Sequence, residues 1–215
     1  MAFVNEFSWS ASKDKVFKIC KRKYYYDSYG FSWDNNPNNP REMYKLKKLR
    51  SIPLWIGSLV RENIRSILES IQKGKQLSME ESLQKLESDF NSSFKESENK
   101  LNEQNAKNYL GLREHEYGLL IDEDDLMERL NLAKNCIKNF YESKLFQEIK
   151  KTNPQTWLLR EKSHFPHFYF EGTKVYCMYD LAIPGQGSLT VYDWTIGKEL
   201  EEEDLQLRRT ILLFK

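Results

Sequence analysis

The stretch VYDWTIGK, Val191 to Lys198, lies near the end of a 215-residue chain and decides how the rest is read. Val191 and Tyr192 are strand formers, and the turn-forming PGQG, Pro184 to Gly187, lies just upstream. That spacing predicts a strand carrying Asp193, joined by a tight turn to an earlier strand, YCMYDLAI, that carries Asp180. Antiparallel neighbours of this kind bring two carboxylates close together. Completed by water oxygens, such a pair suits a hard divalent ion, Mg²⁺ or Mn²⁺. Residues two apart on a strand face the same way, so Thr195 is expected to point where Asp193 points. A lysine at that place would orient an attacking water and stabilise charge developing on a phosphate. Threonine can hold a water through its hydroxyl but brings no charge. As an isolated pattern, two strand aspartates more often serve a purely structural role.

Working outward, residues 156–170, 174–183 and 188–195 read as three strands, separated by EGT and PGQG at hairpin spacing. The chain before Pro154 reads as helices. SWSASKDKVFKICKRKYYYDSYG predicts one helix capped by Ser10 or Ser12, with Val16, Phe17, Cys20, Tyr24 and Tyr25 on one side and Gly30 ending it. DNNPNNP is a loop, and REMYKLKKLR a short basic helix. LWIGSLVRENIRSILESIQKG places Ile56, Leu59, Val60, Ile64, Ile67, Leu68 and Ile71 on a buried stripe. Ser78 with Glu81 forms a capping box for a long polar helix whose thin apolar seam is Leu83, Leu86, Phe90, Phe94 and Leu101. DEDD, Asp122 to Asp125, reads as acids at a helix N-terminus rather than a metal cluster. A last helix is predicted from about Glu202. The layout is α/β, with helices packed on a small sheet.

Apolar residues make up 40% of the chain and aromatics 13%, enough for a core built from large rings. Residues 1–75 hold 15 Lys/Arg against 7 Asp/Glu, while the remainder holds 18 against 25. Such asymmetry fits either a polyanion-facing half or solvated helix surfaces. Cys20, Cys136 and Cys177 have no CxxC spacing, so neither a zinc site nor an iron–sulfur cluster is expected. Free thiols, no signal peptide and no long apolar run predict a soluble, cytoplasmic protein.

Five segments in order resemble the RecB-type branch of the PD-(D/E)XK nuclease superfamily, whose relatives include CRISPR-associated and lambda-type exonucleases. FSWSASKDKVFKICKRKYYYDSYG resembles the opening Ser-x-Ser helix with its Cys-Pro-Arg-x-Tyr-Tyr segment, Lys21 standing for the proline. WIGSLVRENI resembles the Gly-x-x-x-His-Glu helix, YCMYDLAI the Gly-x-x-Asp strand, VYDWTIGK the Asp-Trp-Lys-Thr-Gly-Lys strand, and DLQLRRTILLF the Gln-x-x-x-Tyr helix. The resemblance implies a restriction-endonuclease-like core, a small mixed sheet flanked by helices. Residues 1–215 would form one domain, with 75–150 a helical insertion and the C-terminal end truncated or completed by a partner. It implies Asp180 and Asp193 as metal ligands, Glu161 as a further acidic position and Gln206 near the site. The departures are Arg61 for the histidine, Thr195 for the lysine, Thr210 for the tyrosine and Cys177 for the glycine.

Guanidinium cannot ligate a metal, so Arg61 is expected to pair with an aspartate, to bind phosphate, or simply to sit exposed beside Glu62 and Arg65. Lys198 can stand in for the lysine missing at Thr195. Loss of two such groups together predicts a weak or silent site. The implied function is a metal-dependent DNA nuclease or a catalytically impaired relative. The alternatives are a non-catalytic DNA-binding or scaffold subunit of a repair or defence complex, and a protein–protein module built on the insertion. Arg22, Lys23, Lys47 and Lys48 offer charge for phosphates, and the tyrosines beside them can either stack on unpaired bases or pack in the core. His164 and His167 are expected to lie on the hairpin surface or pack rather than bind metal. TILLF near the end favours self-association or a protein partner.

Overall fold

The computed structural model describes residues 6–30, 41–101, 109–160 and 166–194. Thr195, Lys198, Gln206, Glu161, His164 and the predicted last helix lie outside the described residues. In chain order the elements are β1 (Ser8–Trp9), α1 (Ala11–Ile19), α2 (Lys21–Ser28), α3 (Arg41–Lys48), α4 (Ile52–Gln72), α5 (Met79–Glu98), α6 (Arg113–Glu116), α7 (Glu123–Glu142), α8 (Lys144–Lys151), β2 (Leu158–Leu159), β3 (His167–Phe170), β4 (Thr173–Tyr176), β5 (Leu181–Pro184) and β6 (Leu189–Tyr192). The fold is mixed α/β. Contacts divide the chain into a unit made of Met1–Lys47 with Thr156–Lys215 and a helical unit, Lys48–Gln155.

The first unit holds two three-stranded sheets, ordered β1-β4-β3 and β2-β5-β6, where one hairpin-connected sheet was expected. The expected strand 174–183 is two strands, β4 and β5, in different sheets, and 156–170 is likewise divided into β2 and β3. The pairing explains the break. β2 pairs with β5 through Leu159↔Leu181, and β3 with β4 through His167↔Tyr176. Between these ladders one arm carries residues 160–166 and the other only 177–180. The arms cannot stay in register, so the chain changes sheet there, as strands do at corners. Pro166, which has no N–H to give, accepts from Cys177 N at 2.9 Å and ends the β3–β4 ladder.

The two hairpins form where turn residues demanded them. Phe170 pairs with Thr173, leaving a two-residue loop in which Glu171 (φ 47°) and Gly172 (φ 74°) are both left-handed, the geometry that matches strand twist. The β5–β6 turn closes with Gly185 N donating to Ser188 O at 2.8 Å. β5 is paired on both edges, and its Leu181, Ala182 and Ile183 are all buried.

The predicted helix over residues 10–30 is two helices broken at Cys20, whose backbone is extended (φ −158°, ψ 109°). Ser10 caps α1, and the Cys20 sulfur accepts from Lys23 N at 3.4 Å to begin α2. Phe17 and Tyr24, two turns apart in a continuous helix, meet edge to face at 5.2 Å across this break. Nor is the expected side buried: Phe17, Cys20 and Tyr25 are exposed, and Val16 and Tyr24 are half-buried.

In the helical unit, α4, α5 and α7 pack on one another, and α8 packs on α7. The stripe read from the sequence supplies the core: Ile56, Val60, Ile64, Ile67 and Leu68 are buried with Leu86, Phe90, Leu130 and Ile137. Trp55 stacks on Phe90 at 4.9 Å and gives its indole N–H to Ser93 Oγ at 3.1 Å. The capping box at Ser78 and Glu81 forms in full, and Asp122 accepts from Asp124 N and Asp125 N, so DEDD begins α7 as expected. Ser51 makes no side-chain cap for α4. Glu114 does so from a distance in sequence, its Oε1 accepting from Ile52 N at 3.1 Å.

Candidate functional site

Asp180 and Asp193 are brought side by side by the β5–β6 hairpin. Its register pairs Leu181 with Tyr192, and the next residue outward on each strand is an aspartate. There the ladder turns irregular. Asp180 N donates to Tyr192 O at 3.0 Å, and Trp194 N donates to Asp180 Oδ2 at 2.9 Å instead of to a carbonyl. The Asp180 carbonyl accepts from Arg160 N at 3.3 Å. Asp180 is therefore fixed at both backbone and side chain, and only 8% of it is exposed. Its neighbour Tyr179 is also buried, which pushes that phenol up and keeps it protonated.

Asp193 is half-buried between Tyr192 and Trp194 in sequence. Those two rings stack at 6.1 Å, nearly parallel at 15°, which puts them on one face.

A carboxylate that accepts one N–H retains further lone pairs. The oxygen donors of Asp180 and Asp193 are therefore the type that Mg²⁺ takes, since it commonly uses one or two carboxylates and fills its shell with water and phosphate oxygens. Among the described residues no group of three His, Cys, Asp or Glu side chains gathers in a way that could hold a metal ion.

The other predicted residues are distributed as follows. Arg61 is half-exposed on α4, in the helical unit. Arg22 and Lys23 are exposed on α2, Lys47 is exposed on α3, and Lys48 is half-exposed at the end of α3. His167 packs as expected, its ring edge-on to Tyr169 and Tyr176 at 5.8 and 5.9 Å. His115 meets Ser97 Oγ at 2.9 Å and the Phe94 ring at 4.8 Å. Burial lowers its pKa, against the opposing pull of Glu98 and Glu114. All three cysteines are free thiols, and no helix among the described residues is long and apolar enough to cross a membrane.

One residue escaped the sequence reading. Lys13 is half-buried, its ammonium bonded to the carbonyl and hydroxyl oxygens of Ser8 and 5.9 Å from the centre of the Tyr176 ring. Burial pushes its pKa down. It lines two clefts, of about 330 and 340 Å³, that also share Tyr24. The signal available was its place one turn before Phe17 on a face otherwise carrying rings.

No protein-family model, curated protein or solved structure matches this chain.

Proposed function

We propose that this chain binds DNA and hydrolyses phosphodiester bonds with Mg²⁺ or Mn²⁺ held by Asp180 and Asp193, on the restriction-endonuclease-like plan that its motifs resemble. The observation that carries the reading is the register of β5 and β6, which sets the two aspartates at neighbouring strand ends. When bound, such an ion supplies a Lewis acid and an acidified water nucleophile. The chain's own part is to hold the carboxylates: the Trp194 N–H fixes Oδ2 of Asp180 at the start of β5. Arg22, Lys23, Lys47 and Lys48 serve the phosphates. With Arg61 and Thr195 in place of the family's histidine and lysine, cleavage is slower than in an intact site by about two orders of magnitude or more. The free thiols fit a reducing, cytoplasmic setting.

A second reading, DNA binding without cleavage as a subunit of a larger complex, draws on the exposed basic residues of α2 and α3, which do not depend on the aspartates. Incubation of labelled single-stranded and duplex DNA with Mg²⁺ or Mn²⁺ separates the two. Slow cleavage that Asp193→Ala abolishes supports the first. Salt-sensitive binding with no cleavage under either ion, and no calorimetric metal binding, leaves the second. Absence of any DNA affinity removes both.

A further inference from the structure

We propose that the cleft between β1 and the α1–α2 pair receives an unpaired nucleobase, so that the DNA bound by this chain is single-stranded. The cleft measures about 340 Å³ and is lined by Phe7, Trp9, Phe17, Tyr24, Tyr29 and Lys13, together with Ser8 and Asp14. That volume lies at the small end of ligand sites and is too small for a duplex.

The rings are not packed away. Phe7 is 55% exposed and Phe17 44%. Phe17 is nevertheless held: it rests edge-on to Tyr24, which rests edge-on to Tyr29 at 5.9 Å. An open wall of fixed aromatic faces is what a flat, apolar base stacks on, and stacking of this kind tolerates any base.

Charge selects the occupant further. Residues 11–23 carry six Lys/Arg and one acid, Asp14, which is paired with Lys18 at 2.8 Å. Lys21 sets its ammonium 5.6 Å from the centre of the Phe17 ring. Lys13, tethered to Ser8, stands where this cleft meets the adjoining one, which Lys47 also lines. A ligand with flat apolar groups strung on a polyanion complements this surface. Single-stranded DNA is such a ligand; paired bases would hide those groups.

This rests on the DNA-binding half of the proposed function and not on the aspartate pair. The test measures fluorescence anisotropy of the full chain with a labelled oligothymidine, an abasic strand of equal length and a duplex. It compares the natural sequence with Phe7→Ala/Phe17→Ala and with Arg22→Ala/Lys23→Ala. The expected result is tighter binding to the oligothymidine than to either other probe. Phe7→Ala/Phe17→Ala should lose about tenfold or more on the oligothymidine and little on the abasic strand. Arg22→Ala/Lys23→Ala should weaken all three probes and flatten the salt dependence. Equal affinity for oligothymidine and abasic strand, unmoved by the phenylalanine changes, overturns the proposal and leaves DNA binding standing. A phenylalanine double variant that melts earlier yet binds normally assigns the cleft to packing and also overturns it. Displacement of the strand by thymidine monophosphate at comparable concentration makes it a mononucleotide site instead, and failure to bind any probe removes this proposal with the function it rests on.

Discussion

Substitution can separate the structural bond of Asp180 from the metal ligation proposed for it. Its carboxylate accepts the Trp194 N–H at 2.9 Å, and the proposed function makes the same group a metal ligand. Alanine removes both the acceptor and the charge, whereas asparagine keeps an acceptor oxygen and loses only the charge. Urea denaturation without metal should therefore find Asp180→Ala less stable than Asp180→Asn by about 1 kcal/mol, the net value of one such bond. Both variants should lose Mn²⁺-dependent cleavage. Equal stability of the two would show that the bond to Trp194 contributes nothing to folding. The register that leaves Asp180 and Asp193 as the next residues outward from Leu181 and Tyr192 was legible in the sequence because a tight hairpin fixes it locally. Lys13 was not, because its surroundings depend on Ser8 pairing with Lys174, a contact between remote parts of the chain.

Among the elements, those set by local chemistry follow the sequence: the Ser78 box, the Asp122 cap and the EG turn need only neighbours within a few residues. The break at Cys20 contradicts propensity, since KICKRK holds no helix breaker; it is decided by the cysteine sulfur capping Lys23 and by ring contacts across it. The division of 174–183 into two strands is likewise decided by its partner arm, whose length is visible only once the pairing is known. The β3–β4 turn gives a prediction at this scale. Glu171 is held left-handed at φ 47°, where a Cβ-bearing side chain is strained and asparagine is tolerated best. Glu171→Asn should stabilise the protein by about 0.5–1 kcal/mol, read as a higher urea midpoint with unchanged m-value. A lower midpoint would mean that the Glu171 side chain contributes more than its backbone costs.

For the whole molecule, the core of the helical unit decides what can stand alone. α4 contributes Trp55, Val60, Ile64, Ile67 and Leu68 to it, and α5 and α7 contribute Leu86, Phe90, Leu130 and Ile137. A fragment of residues 75–150, the insertion expected from the motifs, leaves α4 behind and exposes the Phe90 ring that stacks on Trp55. A fragment of Lys48–Gln155 keeps that core, the Glu114 cap on Ile52 and the bond from Gln72 Nε2 to Pro154 O at 3.1 Å. Most of the stability of helices in proteins comes from such packing rather than from intrinsic propensity. The longer fragment should therefore melt cooperatively with strong helical circular dichroism, and the shorter one should show little helix and no sharp transition. Cooperative melting of 75–150 alone would make it an independent insertion and confine the role of α4 to the remainder of the chain. Loss of structure in both fragments would show that the helical unit needs the sheets to fold.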